Sequence, residues 1–188
     1  MSTIQSLKVQ FISVLVDLQP EEEILSFFNI LVNERLGLTL VDMALNPLFE
    51  LNTADLNYFL KALEQLKKNV PIQYVIGKTQ FYGIPILVSE KVLIPRPETE
   101  ELVDWILEDL KNKTDQKLLD IGTGSGCIPI AILKNTSNVE FHATDISNDA
   151  LEIATKNATM NEAQVHFFQS DILKTKGLAA SYDLIVSN

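Results

Sequence analysis

The chain has 188 residues, 46% of them apolar, and its 15 basic against 25 acidic residues give a net charge of −10. That apolar share supplies packed cores for one large or two small domains, whereas the negative balance repels phosphate backbones and argues against non-specific nucleic-acid binding. Cys127 is the single cysteine, which excludes an internal disulfide. The first residues lack the basic flank and long apolar run of a signal peptide, and no apolar run reaches spanning length, so a cytoplasmic protein with a protein or small-molecule substrate is expected.

In chain order, Ile4, Leu7, Phe11, Val14, Leu15 and Leu18 recur at helical spacing, and Pro20 interrupts that helix. A second helix opens at Pro20 with Glu21, Glu22 and Glu23 in its first turn, where negative charge suits the helix dipole. Its buried stripe is Ile24, Phe27, Phe28, Leu31 and Leu36, and Gly37 ends it. After the break at Asn46-Pro47, a further helix starts near Asn52 and Thr53 and carries Leu56, Phe59, Leu60, Leu63 and Leu66. Residues 1–70 are thus expected to form a small helical bundle. Aromatic and β-branched residues with Gly77 and Gly83 between Ile72 and Val88 predict a hairpin, placed in a linker over 71–96. Pro97 opens a helix with Leu102, Val103, Ile106, Leu107 and Leu110 on one face. Strands near 117–121, 139–144, 164–168 and 182–187 then alternate with helices after Ser125 and Asn148, which is the pattern of a parallel sheet with crossover helices.

The strand Leu118-Leu119-Asp120-Ile121 runs directly into Gly122-Thr123-Gly124-Ser125-Gly126, and a second strand ends about 20 residues later in Asp145. Glycines without a Cβ let the backbone turn and approach a ligand, and a carboxylate after the second strand can accept from two ribose hydroxyls, so this is a nucleoside-cofactor site. The dinucleotide fingerprint needs a glycine at the sixth position, which is Cys127 here, and no Gly-Lys-Ser/Thr follows as a phosphate loop would require. The D-x-G-x-G-x-G form resembles the loop of S-adenosylmethionine-dependent methyltransferases, whose cofactor carries no phosphate.

Pro71-Ile72-Gln73-Tyr74-Val75-Ile76-Gly77, Phe81-Tyr82-Gly83, Leu93-Ile94-Pro95-Arg96-Pro97-Glu98-Thr99-Glu100, the glycine loop and the closing Val186-Ser187-Asn188 together resemble the HemK/PrmC family. Its members methylate a glutamine side-chain nitrogen in peptide-chain release factors. The resemblance covers essentially the whole chain, and the I-P-R-P-E-T-E segment is its most specific part. It implies an α/β protein: a small N-terminal helical bundle that recognises substrate, the hairpin linker, and over 97–188 a Rossmann-like class I methyltransferase sheet that binds S-adenosylmethionine. In the family Asn188 would be followed by Pro-Pro-Tyr, so the chain is expected to be cut at its catalytic motif, to lack the C-terminal strands and to be inactive by itself.

A carboxamide nitrogen is a poor nucleophile because its lone pair is delocalised into the carbonyl. An Asn side-chain carbonyl, with a backbone carbonyl of a following proline, accepts both of its N–H groups and holds the nitrogen in line with the methyl donor, with no metal required. On this reading Asn188 is the catalytic residue and also touches the cofactor. Asp120, Gly122, Thr123, Gly124, Ser125, Gly126, Asp145 and Ile146 form the cofactor loop and ribose contact, Asp171 meets the adenine amino group, and Ile172 covers the adenine face. Arg96 and Glu98 shape the substrate side of the pocket. Simpler roles stand beside these: Asp145 suits a helix cap, Asp171 a turn, and Arg96 and Glu98 an acidic helix start. His142, His166 and Cys127 read as packing residues.

The expected partner is a peptide-chain release factor, with any protein-binding surface on the polar faces of the N-terminal helices. No membrane or direct nucleic-acid contact is expected, and self-association through an unpaired sheet edge is possible. The competing readings are a nucleic-acid exocyclic-amine methyltransferase, disfavoured by the acidic balance and the linker motif, and a non-catalytic cofactor-binding fragment.

Overall fold

The computed structural model describes residues 2–137, 139–174 and 181–188. The chain divides into two compact units, Met1–Ile76 and Gly77–Asn188.

In the first unit, α1 (Ile4–Leu15) starts at a reciprocal cap in which the Thr3 hydroxyl accepts from the Ser6 amide and the Ser6 hydroxyl accepts from the Thr3 amide. It ends at Leu15, so Leu18, expected on its buried face, is instead 47% exposed. The stripes of α1 and α2 (Glu21–Leu36) meet through Phe11 and Phe28, whose rings pack edge to face at 5.4 Å. Gly37 ends α2 in the left-handed conformation at φ 68°. A short helix, α3 (Leu40–Leu45), not foreseen from the sequence, is nucleated by a second reciprocal cap between Thr39 and Asp42. The Thr39 hydroxyl and amide both donate to the Asp42 carboxylate and hold it below its ordinary range. α4 (Thr53–Leu66) places Phe59, Leu63 and Leu66 in the core as its spacing predicts.

The helical unit runs past residue 70. Residues Ile72–Ile76, expected to begin a hairpin, form the helix α5. Pro71 immediately precedes it, and its carbonyl accepts from the Tyr74 and Val75 amides. Ile72 is buried in the helical core, so packing overrides the strand preference of its β-branched residues.

The second unit opens with the hairpin β1 (Lys78–Phe81) and β2 (Ile84–Leu87). Its two-residue turn is Tyr82-Gly83, both at positive φ, the geometry that matches strand twist. The Tyr82 amide donates to Glu100 and its hydroxyl to Asp104, both on α6 (Glu98–Leu110). Then follow β3 (Gln116–Ile121), α7 (Cys127–Asn135), β4 (Val139–Asp145), α8 (Asn148–Met160), β5 (Val165–Gln169) and β6 (Leu184–Val186). The sheet order is β5-β4-β3-β6, every neighbour parallel. Strands advance from β3 through β4 to β5, and β6 then returns to the other side of β3. This reversal creates a switch point at the carboxyl ends of β3 and β6, where open α/β sheets bind ligands.

Candidate cofactor and active site

The carboxyl edge of the sheet gathers the residues singled out from the sequence, one group per strand. After β3 the chain turns at Gly122, and the Gly122 and Thr123 amides both donate to the Thr144 carbonyl of β4, at 2.8 and 3.0 Å. After β4, the Asp145 carboxylate accepts from the Gly124 amide through one oxygen and from the Ser147 amide through the other, both at 2.9 Å. Asp145 thus ties the loop of one strand to the end of the next, and Ser147, not Asp145, caps α8 by accepting from the Ala150 amide. After β6, Ser187 donates to the Ile121 carbonyl at 2.9 Å, and the Asn188 Nδ2 donates to the Thr99 hydroxyl at 2.7 Å. Thr99, buried in the first turn of α6, was missed from the sequence because a lone Thr in a helix start signals nothing by itself.

The three glycines do different work. Gly122, Gly124 and Gly126 have φ of 76°, 54° and 77°, a region that costs other residues backbone strain. A Cβ on Gly122 or Gly124 would meet no atom within 4 Å, so these two leave open space over the loop. A Cβ on Gly126 would lie 3.1 Å from the Ala154 Cβ, so that glycine lets the start of α7 approach α8 closely.

Asp120 is 1% exposed, and neither carboxylate oxygen meets a hydrogen-bond partner among the described residues. Burial pushes its pKa up to about 6, the nearby Asp145 charge adds to the rise, and the adjacent Thr123 hydroxyl opposes it. An orphaned buried carboxylate beside an open loop suits a cationic ligand group. Thr123 and Ser125 are buried, whereas Ile146 is 64% and Ile172 39% exposed at the same edge.

Asp171 lies two residues past the end of β5, in a turn where its carboxylate accepts from the Leu173 amide and pairs with Lys174 at 3.0 Å. The turn role weighed against ligand contact is therefore present. Arg96 and Glu98 are exposed at the start of α6, next to Thr99. Cys127 is buried, and burial pushes its thiol up to about 12, as befits an inert packing residue.

His142 and His166 face each other across β4 and β5 with ring centroids 5.0 Å apart, and with Glu140 they bring three potential metal-ligand atoms within 4.8 Å of one another. His142 packs its ring against His166, Phe168 and Tyr182, the packing role expected, whereas His166 is exposed. The Glu140 carboxylate lies 2.8 Å from the Lys117 ammonium and 2.6 Å from His142 Nε2, contacts that lower its pKa to about 2. The Tyr182 hydroxyl lies 3.2 Å from His142 Nδ1, so both ring nitrogens are engaged. Lys117 already supplies the cation at that carboxylate.

Residues 10–77 match the PrmC N-terminal domain family, and residues 101–188 match the Methyltransferase small domain family. The chain is 44% identical to the release factor glutamine methyltransferase of Flavobacterium psychrophilum over 98% of its own length and 66% of the relative's. It is 41% identical to the protein of the same name from Bacteroides thetaiotaomicron, over 93% of this chain and 62% of that one. The chain thus spans a little under two thirds of the length of these curated relatives. Among solved structures it is similar to a ribosomal protein L11 methylase from Lactobacillus delbrueckii subsp. bulgaricus, with a TM-score of 0.43 and 28% identity over 54% of this chain and 51% of that one. Among the described residues no helix is long and apolar enough to cross a membrane. With the PrmC domain matched at one end, the methyltransferase domain at the other and the identity running through both, the chain belongs to the HemK/PrmC family of release factor glutamine methyltransferases.

Proposed function

We propose that this chain supplies the donor-binding part of an enzyme that transfers a methyl group from S-adenosylmethionine to the side-chain amide nitrogen of a glutamine in a peptide-chain release factor. The observation that carries the reading is the convergence of the glycine loop, Asp145 and Asn188 at one switch point of a parallel sheet. The residues fit the cofactor: open space above Gly122 and Gly124 leaves room for it, and Asp120 is a buried carboxylate in want of a partner. When bound, S-adenosylmethionine supplies an electrophilic methyl on a sulfonium.

The chain's own residues then have separable tasks. The Gly124 and Ser147 amides each occupy one lone pair of Asp145, which fixes the carboxylate and leaves lone pairs for two ribose hydroxyls. Ile146 and Ile172 offer exposed apolar surface to a base, and Asp171 stands at the end of the neighbouring strand for its amino group. Thr99 engages the Nδ2 of Asn188, which leaves the Asn188 Oδ1 to accept an N–H of the glutamine amide and hold its nitrogen in line for attack. Arg96 and Glu98, beside Thr99, stand on the substrate side.

Residues 1–70 are read as the substrate-recognition domain, 71–96 as the linker and 97–188 as the catalytic part. The apolar residues Val9, Leu40, Val41, Leu45 and Leu48, between 61% and 81% exposed, favour a protein partner for the helical unit that meets apolar side chains instead of polar faces. Ile185, 53% exposed on the outer strand β6, supports pairing between copies, and a cytoplasmic site of action completes the reading.

Calorimetric titration with S-adenosylmethionine and with S-adenosylhomocysteine tests the donor site. Mass spectrometry of a bacterial release factor, after incubation with this chain joined to the remaining third of the Flavobacterium relative, tests the reaction. Binding of both ligands and a single added methyl on glutamine are expected; methylation of RNA or DNA instead of the factor would refute the assignment.

A further inference from the structure

The side chain of Asn157, in the last turn of α8, is fully buried, and every polar atom on it is used. Its Oδ1 accepts from the Leu87 amide at 2.7 Å, and its Nδ2 donates to the Leu87 carbonyl at 3.0 Å and to the Ser125 carbonyl at 2.9 Å. The first two bonds are those a neighbouring strand would make. In the hairpin register Leu87 stands opposite Lys78 and Pro85 opposite Gln80, the two positions whose backbone polar groups point away from β1. The outward edge of β2 is therefore satisfied by α8: Asn157 takes both groups of Leu87. Asn161, one turn on, donates to the Pro85 carbonyl at 2.9 Å, and Pro85 has no amide to satisfy. The third bond of Asn157 leaves the hairpin and enters the glycine loop.

We propose that Asn157 is a positioning residue for the cofactor loop, and that by holding Ser125 and Leu87 with one amide group it couples occupancy of that loop to order in the hairpin. The inference rests on the reading that the loop holds S-adenosylmethionine. Ser125 lies between Gly124, whose amide Asp145 holds, and Gly126, whose amide donates to the Thr123 carbonyl. In a stretch whose glycines resist no rotation, the Asn157 bond is the one side-chain anchor on the Ser125 carbonyl among the described residues. A ligand that stiffens the loop stiffens that anchor, and the same Nδ2 carries the change to the Leu87 carbonyl. Asn161 serves as the internal control: it binds the hairpin and the Asn157 carbonyl, and none of its bonds reaches the loop.

The test uses the full chain as wild type, Asn157→Asp and Asn161→Asp, with S-adenosylhomocysteine as probe. Asn157→Asp keeps the acceptor for the Leu87 amide and loses both donors. Calorimetry should show its affinity for the probe lowered about tenfold, the scale of lost buried hydrogen bonds, while Asn161→Asp stays near wild type. Amide hydrogen exchange should show the probe slowing the Leu87 amide along with the loop in wild type, and the loop alone in Asn157→Asp. Without any ligand, Asn157→Asp should also exchange faster at Gly124 and Gly126. Equal affinity in wild type and Asn157→Asp, equal losses in the two variants, or a Leu87 amide indifferent to the probe in wild type would each overturn the proposal. If wild type binds no probe, the cofactor reading fails instead, and the ligand-free exchange at Gly124 and Gly126 still decides whether Asn157 anchors the loop.

Discussion

Replacing Asp120 with Asn should stabilise the sheet unit at neutral pH. Asp120 is 1% exposed, its oxygens meet no partner among the described residues, and its pKa rises from 3.8 to about 6 on folding. Between those values the unfolded chain has released a proton that the folded chain still holds, so stability falls as pH rises through the window and levels off above it. At about 1.36 kcal/mol per tenfold change in proton affinity, the cost of the charged carboxylate above pH 6 is roughly 3 kcal/mol. Asn has nearly the shape of the protonated acid and does not ionise. The stability of Asp120→Asn relative to wild type should therefore be independent of pH below about 4, grow to about 3 kcal/mol in favour of Asn near pH 6, and stay there. Urea unfolding followed by Trp105, the single tryptophan, reports on this unit across pH 4 to 8. A difference that does not change with pH would show that Asp120 is not held neutral by burial. The same variant should bind S-adenosylmethionine more weakly, since it removes the negative charge offered to a cationic ligand.

Gly126→Ala should destabilise the sheet unit by more than the roughly 1–2 kcal/mol of left-handed backbone strain, because its Cβ also crowds Ala154 at 3.1 Å; Gly122→Ala should show the strain alone, and equal losses in urea unfolding would refute the distinction. Glu140 is held at about 2 against an ordinary 4.5, so the stability it lends is complete above pH 4.5 and lost as pH falls towards 2; Lys117→Met should shift that loss to higher pH in acid unfolding curves, and an unchanged curve would remove Lys117 as its cause. In the helical unit Phe11→Ala should cost about 3–5 kcal/mol by circular dichroism melting, because the side chain is fully buried against Phe28, and a loss under 1 kcal/mol would mean the core closes over the gap.

The amino-acid sequence alone determined the elements whose signals are local. Helical spacing marked α1, α2, α4 and α6, the strand-glycine-helix run marked β3 and α7, and the carboxylate after β4 marked Asp145. Each depends on periodicity or on a backbone that needs glycine, and both can be read within one window of residues. Only the tertiary structure decided the rest. Ile72–Ile76 has strand-forming residues yet folds as a helix, because Ile72 gains more from the helical core than from a sheet edge. The turn contacts of the Asp171 carboxylate appear only once Leu173 and Lys174 fold back on it. Thr99 and Asn157 carry no motif of their own: one meets Asn188 from 89 positions away, the other joins Leu87 and Ser125 from 70 and 32. A hydrogen bond between residues so far apart in the chain is set by how the elements pack, and a lone Thr or Asn in a helix does not announce its partner.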